Sequence, residues 1–195
     1  MRNVLNHWTI KSALCLGISL AATGIASAQA SVTAQRGAEV APWVQTTYLR
    51  PDWGQPNNFG YTIGGDYTRF IRSVVQPSLE VRFTNAPGTQ VGESSFTGGI
   101  KLQTTIHGFH PYATLLAGTG NITFVHPVSA TYTKDTSFVY SMGGGLEFNV
   151  LPQWKIRADF TDQHWDLDPD ILTPMAFSVG VAYSIPFHGG GGWVH

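Results

Sequence analysis

The sequence is short of cysteine, of charge and of long apolar runs. Its one cysteine, Cys15, falls in the first 28 residues. A disulfide-stapled scaffold is therefore excluded. Charged residues make up 12% of the chain, about half the share of an ordinary soluble domain. With 11 basic and 12 acidic residues, the formal net charge is −1. That balance offers no basic surface for nucleic acid. After the N-terminal segment no stretch approaches the roughly 18 apolar residues of a membrane-spanning helix. Mean hydropathy is −0.02, so any membrane contact must come from strands. Disorder is excluded too, because 12% of residues are aromatic.

Residues 1–28 have the layout of a cleaved signal peptide. Arg2 and Lys11 supply the positive start. Ala13 to Ile25 is an apolar core too short to span a bilayer, and Ala26-Ser27-Ala28 fits the cleavage pattern. Residues 29–39 then form a lead segment, 40–187 a barrel, and 188–195 a Gly-rich tail.

The period from there on is two. In Met175–Phe187 the large residues Met175, Phe177, Val179, Val181, Tyr183, Ile185 and Phe187 alternate with small ones. The alternation recurs in Val40–Arg50, Phe59–Phe70, Pro77–Thr84, Ser95–His107, His110–Gly118, Thr136–Val150 and Trp154–Trp165. Eight strands and no helix are predicted. The links near Arg72–Gln76, Gly108–Phe109 and Leu151–Gln153 are short. Those near Pro51–Asn58, Asn85–Glu93, Thr119–Lys134 and Asp166–Thr173 are longer. An up-and-down barrel puts the long links at one end, as outer-membrane barrels do.

A soluble lipocalin-like barrel would turn its apolar face inward. Its other face would then meet water and should be rich in charge. Here that face is mostly Gly, Ser, Ala and Thr, which suits a narrow interior, with the large residues toward lipid. Asp66, Glu80, Arg82, Lys101, Glu147, Lys155, Arg157 and Asp159 then point inward. Four are acidic and four basic, so they can neutralise one another as an interior ion-pair network. The Leu151–Gln153 turn places Glu147 opposite Arg157 and Asn149 opposite Lys155. Phe70, Phe109, Trp154 and Phe187 are expected in one interfacial girdle, and Trp53, Phe96 and Trp165 in the other.

These residues carry a resemblance to a known family. Tyr48-Leu49-Arg50, His110-Pro111-Tyr112, Gly143-Gly144-Gly145-Leu146-Glu147-Phe148 and Ile156-Arg157-Ala158-Asp159-Phe160 occur in order along the chain. In this the chain resembles the small eight-stranded outer-membrane β-barrel proteins of the OmpA/OmpX/opacity type. Ser178, Gly180, Tyr183 and Ile185, followed by Phe187, look like the C-terminal insertion signal read by the outer-membrane assembly machinery. The tail His188 to His195 departs from that pattern, since such chains commonly end at the aromatic. The resemblance implies an all-β, antiparallel, up-and-down transmembrane barrel in the outer membrane of a Gram-negative-type bacterium. Outer-membrane lipid, lipopolysaccharide and the assembly machinery are its implied partners. A structural or surface-interaction role through extracellular loops is expected, with no wide pore and no cofactor. A small channel, a lipid A-modifying hydrolase and a soluble ligand-binding barrel are the alternatives.

Other motifs point less far. Asp166-Leu167-Asp168-Pro169-Asp170 alternates carboxylates but lacks the Gly and distal Glu of a Ca²⁺ loop. His126 and Ser129 after Phe124 are spaced Phe-x-His-x-x-Ser, not the Phe-x-His-x-Ser of lipid A deacylases, with no orienting third group in view. His107 and His110 bracket a turn without further ligands. No catalytic or metal-binding residue is expected.

Overall fold

The computed structural model describes residues 37–52, 56–71, 73–125, 134–167 and 170–187. The strands are β1 (Ala38–Arg50), β2 (Asn58–Arg69), β3 (Val75–Ala86), β4 (Val91–Thr104), β5 (Phe109–Phe124), β6 (Lys134–Asn149) and β7 (Trp154–Leu167). An eighth barrel strand comes in three pieces: β8 (Asp170–Leu172), β9 (Met175–Tyr183) and β10 (Ile185–Phe187). Each strand pairs antiparallel with the next, and β9 pairs with both β7 and β1. The sheet thereby closes on itself as an all-antiparallel eight-stranded barrel. Closure leaves no edge through the middle of the wall, which backbone in hydrocarbon requires. No helix among the described residues is long and apolar enough to cross a membrane; the chain crosses with strands.

The burial pattern settles which face is which. Phe59, Leu79, Leu115, Phe138, Phe177 and Val179 are exposed on the outside. Thr47, Ser78, Thr97, Ser141, Thr161 and Ser178 are buried inside. Large apolar residues toward lipid and small polar ones within is the inverse of a soluble barrel.

Ala38 and Phe187 are partners and lie at the end that carries the links 70–74, 105–108 and 150–153. This is called the turn end, and the opposite one the loop end. The tightest turn is at His107 and Gly108, both with positive φ (49° and 86°). Ile106 and Phe109 close it with reciprocal backbone hydrogen bonds of 2.8 and 2.9 Å. Two consecutive left-handed residues match the twist of a hairpin.

Several boundaries differ from the sequence expectation. The barrel starts at Ala38, not Val40, and β3 covers Val75–Ala86. Link Asn85–Glu93 shrinks to residues 87–90, and Thr119–Lys134 to 125–133. Link Asp166–Thr173 is mostly strand, because Trp165 pairs with Leu172 and Leu167 with Asp170. The two ends are therefore less unequal than expected. The cause is an inversion of the alternation near the loop end. There Ile122, Val139 and Trp165 point inward and pack together, while Thr123 and Asp166 are exposed outside. A strand that is wet outside and apolar inside breaks the greasy-outside pattern that located the other strands.

Trp165 is accordingly not a girdle residue. It is 1% exposed and belongs to that inner cluster. Phe96, Phe109, Trp154 and Phe187 are exposed on the outer face. Trp53 lies outside the described residues, as do 1–36 and 188–195. The last strand breaks at Ser184, whose N–H donates to the Gln153 carbonyl at 2.7 Å. Opposite the break, Ala41 and Pro42 have no partner on the last strand. Pro42 has no N–H to give the ladder.

Candidate functional site in the barrel interior

Strand parity alone brings Asp66, Glu80, Arg82, Lys101, Glu147, Lys155, Arg157 and Asp159 into the lumen, and all eight are buried. Glu147 stands directly opposite Arg157, and Asn149 opposite Lys155. Asp66 faces Glu80 across β2 and β3. Two carboxylates placed side by side repel each other unless cations lie between them.

Arg157 supplies most of that charge. Its Nη1 donates to Asp66 Oδ2 at 2.9 Å and to Glu147 Oε1 at 3.3 Å. Its Nη2 donates to Glu80 Oε2 at 2.9 Å, and its Nε to Asp159 Oδ2 at 3.4 Å. One planar fork thus reaches four carboxylates from three other positions around the wall and one on its own strand. Lys101 Nζ donates to Asp66 Oδ2 at 2.6 Å and also to Glu147. Arg82 pairs with Glu80 and lies 3.5 Å from Asp159. Toward the turn end, Lys155 Nζ donates to Glu39 Oε1 at 2.6 Å.

Aromatic rings wall this cluster. The Arg157 guanidinium sits 4.3 Å from the Trp43 ring centroid and 4.7 Å from that of Tyr112. Lys101 Nζ lies 4.5 Å from the Tyr112 centroid. The Tyr112 hydroxyl donates to Asp159 Oδ2 at 3.0 Å. Room for the rings comes from glycine. A Cβ on Gly64 would strike the Trp43 ring, and one on Gly145 would meet the Tyr112 hydroxyl. Gly145 is thus a packing residue of the lumen.

Beyond the ions, toward the loop end, the lining becomes hydroxyls. Thr47 bonds Thr62 at 2.6 Å and Ser178 at 3.0 Å, and Thr62 bonds Thr84 at 3.1 Å. A cavity of about 10 Å³ lies among Thr84, Ser95, Thr97, Ser141 and Thr161, room for about one water.

Sequence reasoning missed Glu39, Glu93, Trp43 and Tyr112 as lumen residues. Glu39 fell in the expected lead segment. Trp43 and Tyr112 share the inward parity of Gln45 and Thr114, so the signal that places them was present in the alternation. Glu93 is buried near the loop end, in a stretch expected as link.

The remaining candidates are not assembled into a site. His110 Nδ1 lies 3.0 Å from Thr105 Oγ1 and its Nε2 3.0 Å from Asn149 Nδ2. His107 is in the turn. His126 and Ser129 lie outside the described residues, as does Asp168. Among the described residues no three His, Cys, Asp or Glu side chains are grouped to hold a metal ion.

The last strand carries Ser178 and Gly180 within the wall. Ser178 is buried, and a Cβ on Gly180 would strike the Val44 carbonyl of β1. Ile185 and Phe187 are exposed on the lipid side.

Comparisons with known proteins agree with this architecture. Neisserial surface protein A is 14% identical, with a TM-score of 0.55 over 75% of this chain and 96% of that one. The attachment invasion locus protein Ail of Yersinia pestis, solved with the heparin analogue sucrose octasulfate, is 16% identical; its TM-score is 0.49 over 76% of this chain and 97% of that one. The N-terminal barrel domain of Pseudomonas aeruginosa OprF is 13% identical, with a TM-score of 0.47 over 77% and 98%. No curated protein matches the chain. The family model described as outer membrane protein beta-barrel domain matches residues 18–184. The chain belongs to that family, and its barrel is a bacterial outer-membrane protein.

Proposed function

We propose that this protein is a closed outer-membrane barrel with a structural or surface-interaction role, exercised through the links at its loop end. The observation that carries the reading is the lumen around Arg157. Four carboxylates and two aromatic rings meet its guanidinium there. Side chains fill the cross-section, so the barrel has no wide pore. Binding then falls to links 51–57, 87–90 and 125–133 and to the β7–β8 turn, facing lipopolysaccharide or another surface.

Planar-bilayer recording on the purified protein is expected to give no stable conductance steps. Replacing 125–133 by a short Gly/Ser link is expected to preserve folding, read as heat-modifiable mobility. The same change should weaken attachment of cells that display the protein. A steady, large conductance in the unaltered protein would favour the small-channel reading instead. The hydroxyl-lined cavity beside Arg82 is what supports that second reading. Lipid A deacylation lost in His126→Ala would replace both with an enzyme.

The reading also includes an assembly role for Ser178, Gly180, Tyr183, Ile185 and Phe187. Their support is placement: Ser178, Gly180, Ile185 and Phe187 close the barrel against β1, and Tyr183 pairs with Trp154 of β7. Phe187→Ala is expected to slow insertion in cells without reducing the stability of barrels already folded.

A further inference from the structure

The hydroxyls of the lumen fall into two sets. Thr47, Thr62, Thr84 and Ser178 bond one another in a chain, and Thr68 bonds Ser78. Ser95, Thr97 and Ser141 do not join such a chain. Among the described residues their hydroxyls meet no hydrogen-bond partner, although the three are only 6%, 3% and 2% exposed. All three line the cavity of about 10 Å³ between the ion cluster and the loop end. Buried polar groups are nearly always hydrogen-bonded. Three unpartnered hydroxyls around one small space therefore point to a ligand.

Two further lining groups can only donate. Arg82 gives its Nε to Glu80 Oε1 at 2.8 Å and its Nη2 to the same carboxylate. Its Nη1 donates to Thr161 Oγ1 at 3.2 Å, which engages one of the two Nη1 hydrogens and leaves the other. Gln163 accepts from Trp165 Nε1 at 3.0 Å through Oε1. That contact fixes the amide's orientation, so the Gln163 Nε2 remains as a donor.

Charge then decides the sign of the ligand. Arg82 is the one charged side chain that lines the cavity; its carboxylate partners Glu80 and Asp159 do not line it. A guanidinium in the wall repels a metal ion or an ammonium. The same guanidinium, an amide N–H and three hydroxyls free to turn their hydrogens inward are complementary to an anion. Size decides the rest. Room for about one water-sized particle excludes phosphate, sulfate and carboxylic acids.

We propose that this cavity is a binding site for a single halide ion, chloride, held by Arg82, Gln163 and the hydroxyls of Ser95, Thr97 and Ser141. These residues come from β3, β4, β6 and β7, so the site exists only in the closed barrel. An ion that binds the folded chain and not the unfolded one stabilises the fold by mass action. The inference is independent of the loop-based role proposed above.

The test uses the purified full chain folded in phosphatidylcholine vesicles. Its unfolding in urea is timed in sodium chloride and in sodium gluconate at equal ionic strength. Unfolding is expected to be several-fold slower in chloride, with an effect that saturates as chloride rises. Arg82 is left in place, because it also holds Glu80. Thr97→Val and Ser141→Ala remove donors without touching the ion pairs. Both are expected to fold, read as heat-modifiable mobility, and to lose most of the chloride effect. Crystals grown in bromide should show an anomalous peak within hydrogen-bonding reach of Arg82 Nη1 and the Thr97 and Ser141 hydroxyls. If neither variant folds, the bromide experiment on the unaltered chain decides. Absence of that peak, or a chloride effect of the same size in both variants, would overturn the proposal in favour of a water in the cavity. An effect that disappears when choline replaces sodium at constant chloride would overturn it in favour of a cation.

Discussion

The guanidinium of Arg157 lies over the Trp43 ring, 4.3 Å from its centroid, while its nitrogens reach carboxylates on β2, β3, β6 and β7. One side chain therefore serves as cation, hydrogen-bond hub and filler. Arg157→Ala removes the cation that bridges Asp66 and Glu80, leaving each with one remaining partner, Lys101 and Arg82. A loss of about 3–5 kcal/mol is expected from breaking such a buried set. Arg157→Lys keeps the charge but loses the fork and the stacking, and should fall between the two. Equilibrium urea unfolding in vesicles measures both.

The tryptophans should separate by face. Trp154 is 46% exposed toward lipid, whereas Trp43 and Trp165 are buried in the lumen. In variants retaining one of these three, brominated lipid is expected to quench Trp154 strongly and the other two weakly. Strong lipid quenching of Trp165 would return it to the girdle.

Thr47 is fully buried and bonds both Thr62 and Ser178. Thr47→Val keeps the shape and removes the hydroxyl, leaving Ser178 short of a partner. A cost of about 1–2 kcal/mol is expected for one orphaned buried group. Thr47→Ser should recover most of it in the same unfolding measurement.

Leu115 and Thr123 point outward from the same strand, eight residues apart by number. An arginine at a lipid-facing midplane position costs about 2–4 kcal/mol, and near or beyond the interface about 0–1. Leu115→Arg is expected in the first range and Thr123→Arg in the second. Equal costs would mean that β5 lies in lipid along its whole length.

The strands were legible wherever one face meets lipid. Met175–Phe187 and Thr136–Val150 announce themselves because apolar residues recur every second position. Lumen placement of the charged residues follows from the same parity, since a one-residue shift would put Arg157 in lipid. The register of Glu147 on Arg157 follows from the length of a single turn. Legibility failed at the loop end. Residues 119–124, 166–167 and 170–172 are strand, but polar Thr119, Thr123 and Asp166 lie on the outer face while Ile122 and Trp165 turn inward, so the rule that found the barrel assigned them to links. Trp165 was misplaced for the same reason: its parity matched Arg157, and its size suggested the surface.

The sequence by itself determined the class of this protein. Its alternation, its low charge and its lack of apolar helices leave a strand-built membrane wall, because only such a wall satisfies the backbone in lipid. It also determined that Asp66, Glu80, Arg82, Lys101, Glu147, Lys155, Arg157 and Asp159 enter the lumen. Tertiary structure alone decided how they meet. Arg157 and Asp66 are far apart in sequence and on strands that do not touch, and only closure of β9 on β1 fixes the barrel's diameter and stagger. That geometry brings them within 2.9 Å. It also brings Trp43 and Tyr112 against the guanidinium. Parity is a property of each strand taken singly. The distance across a lumen belongs to the closed ring.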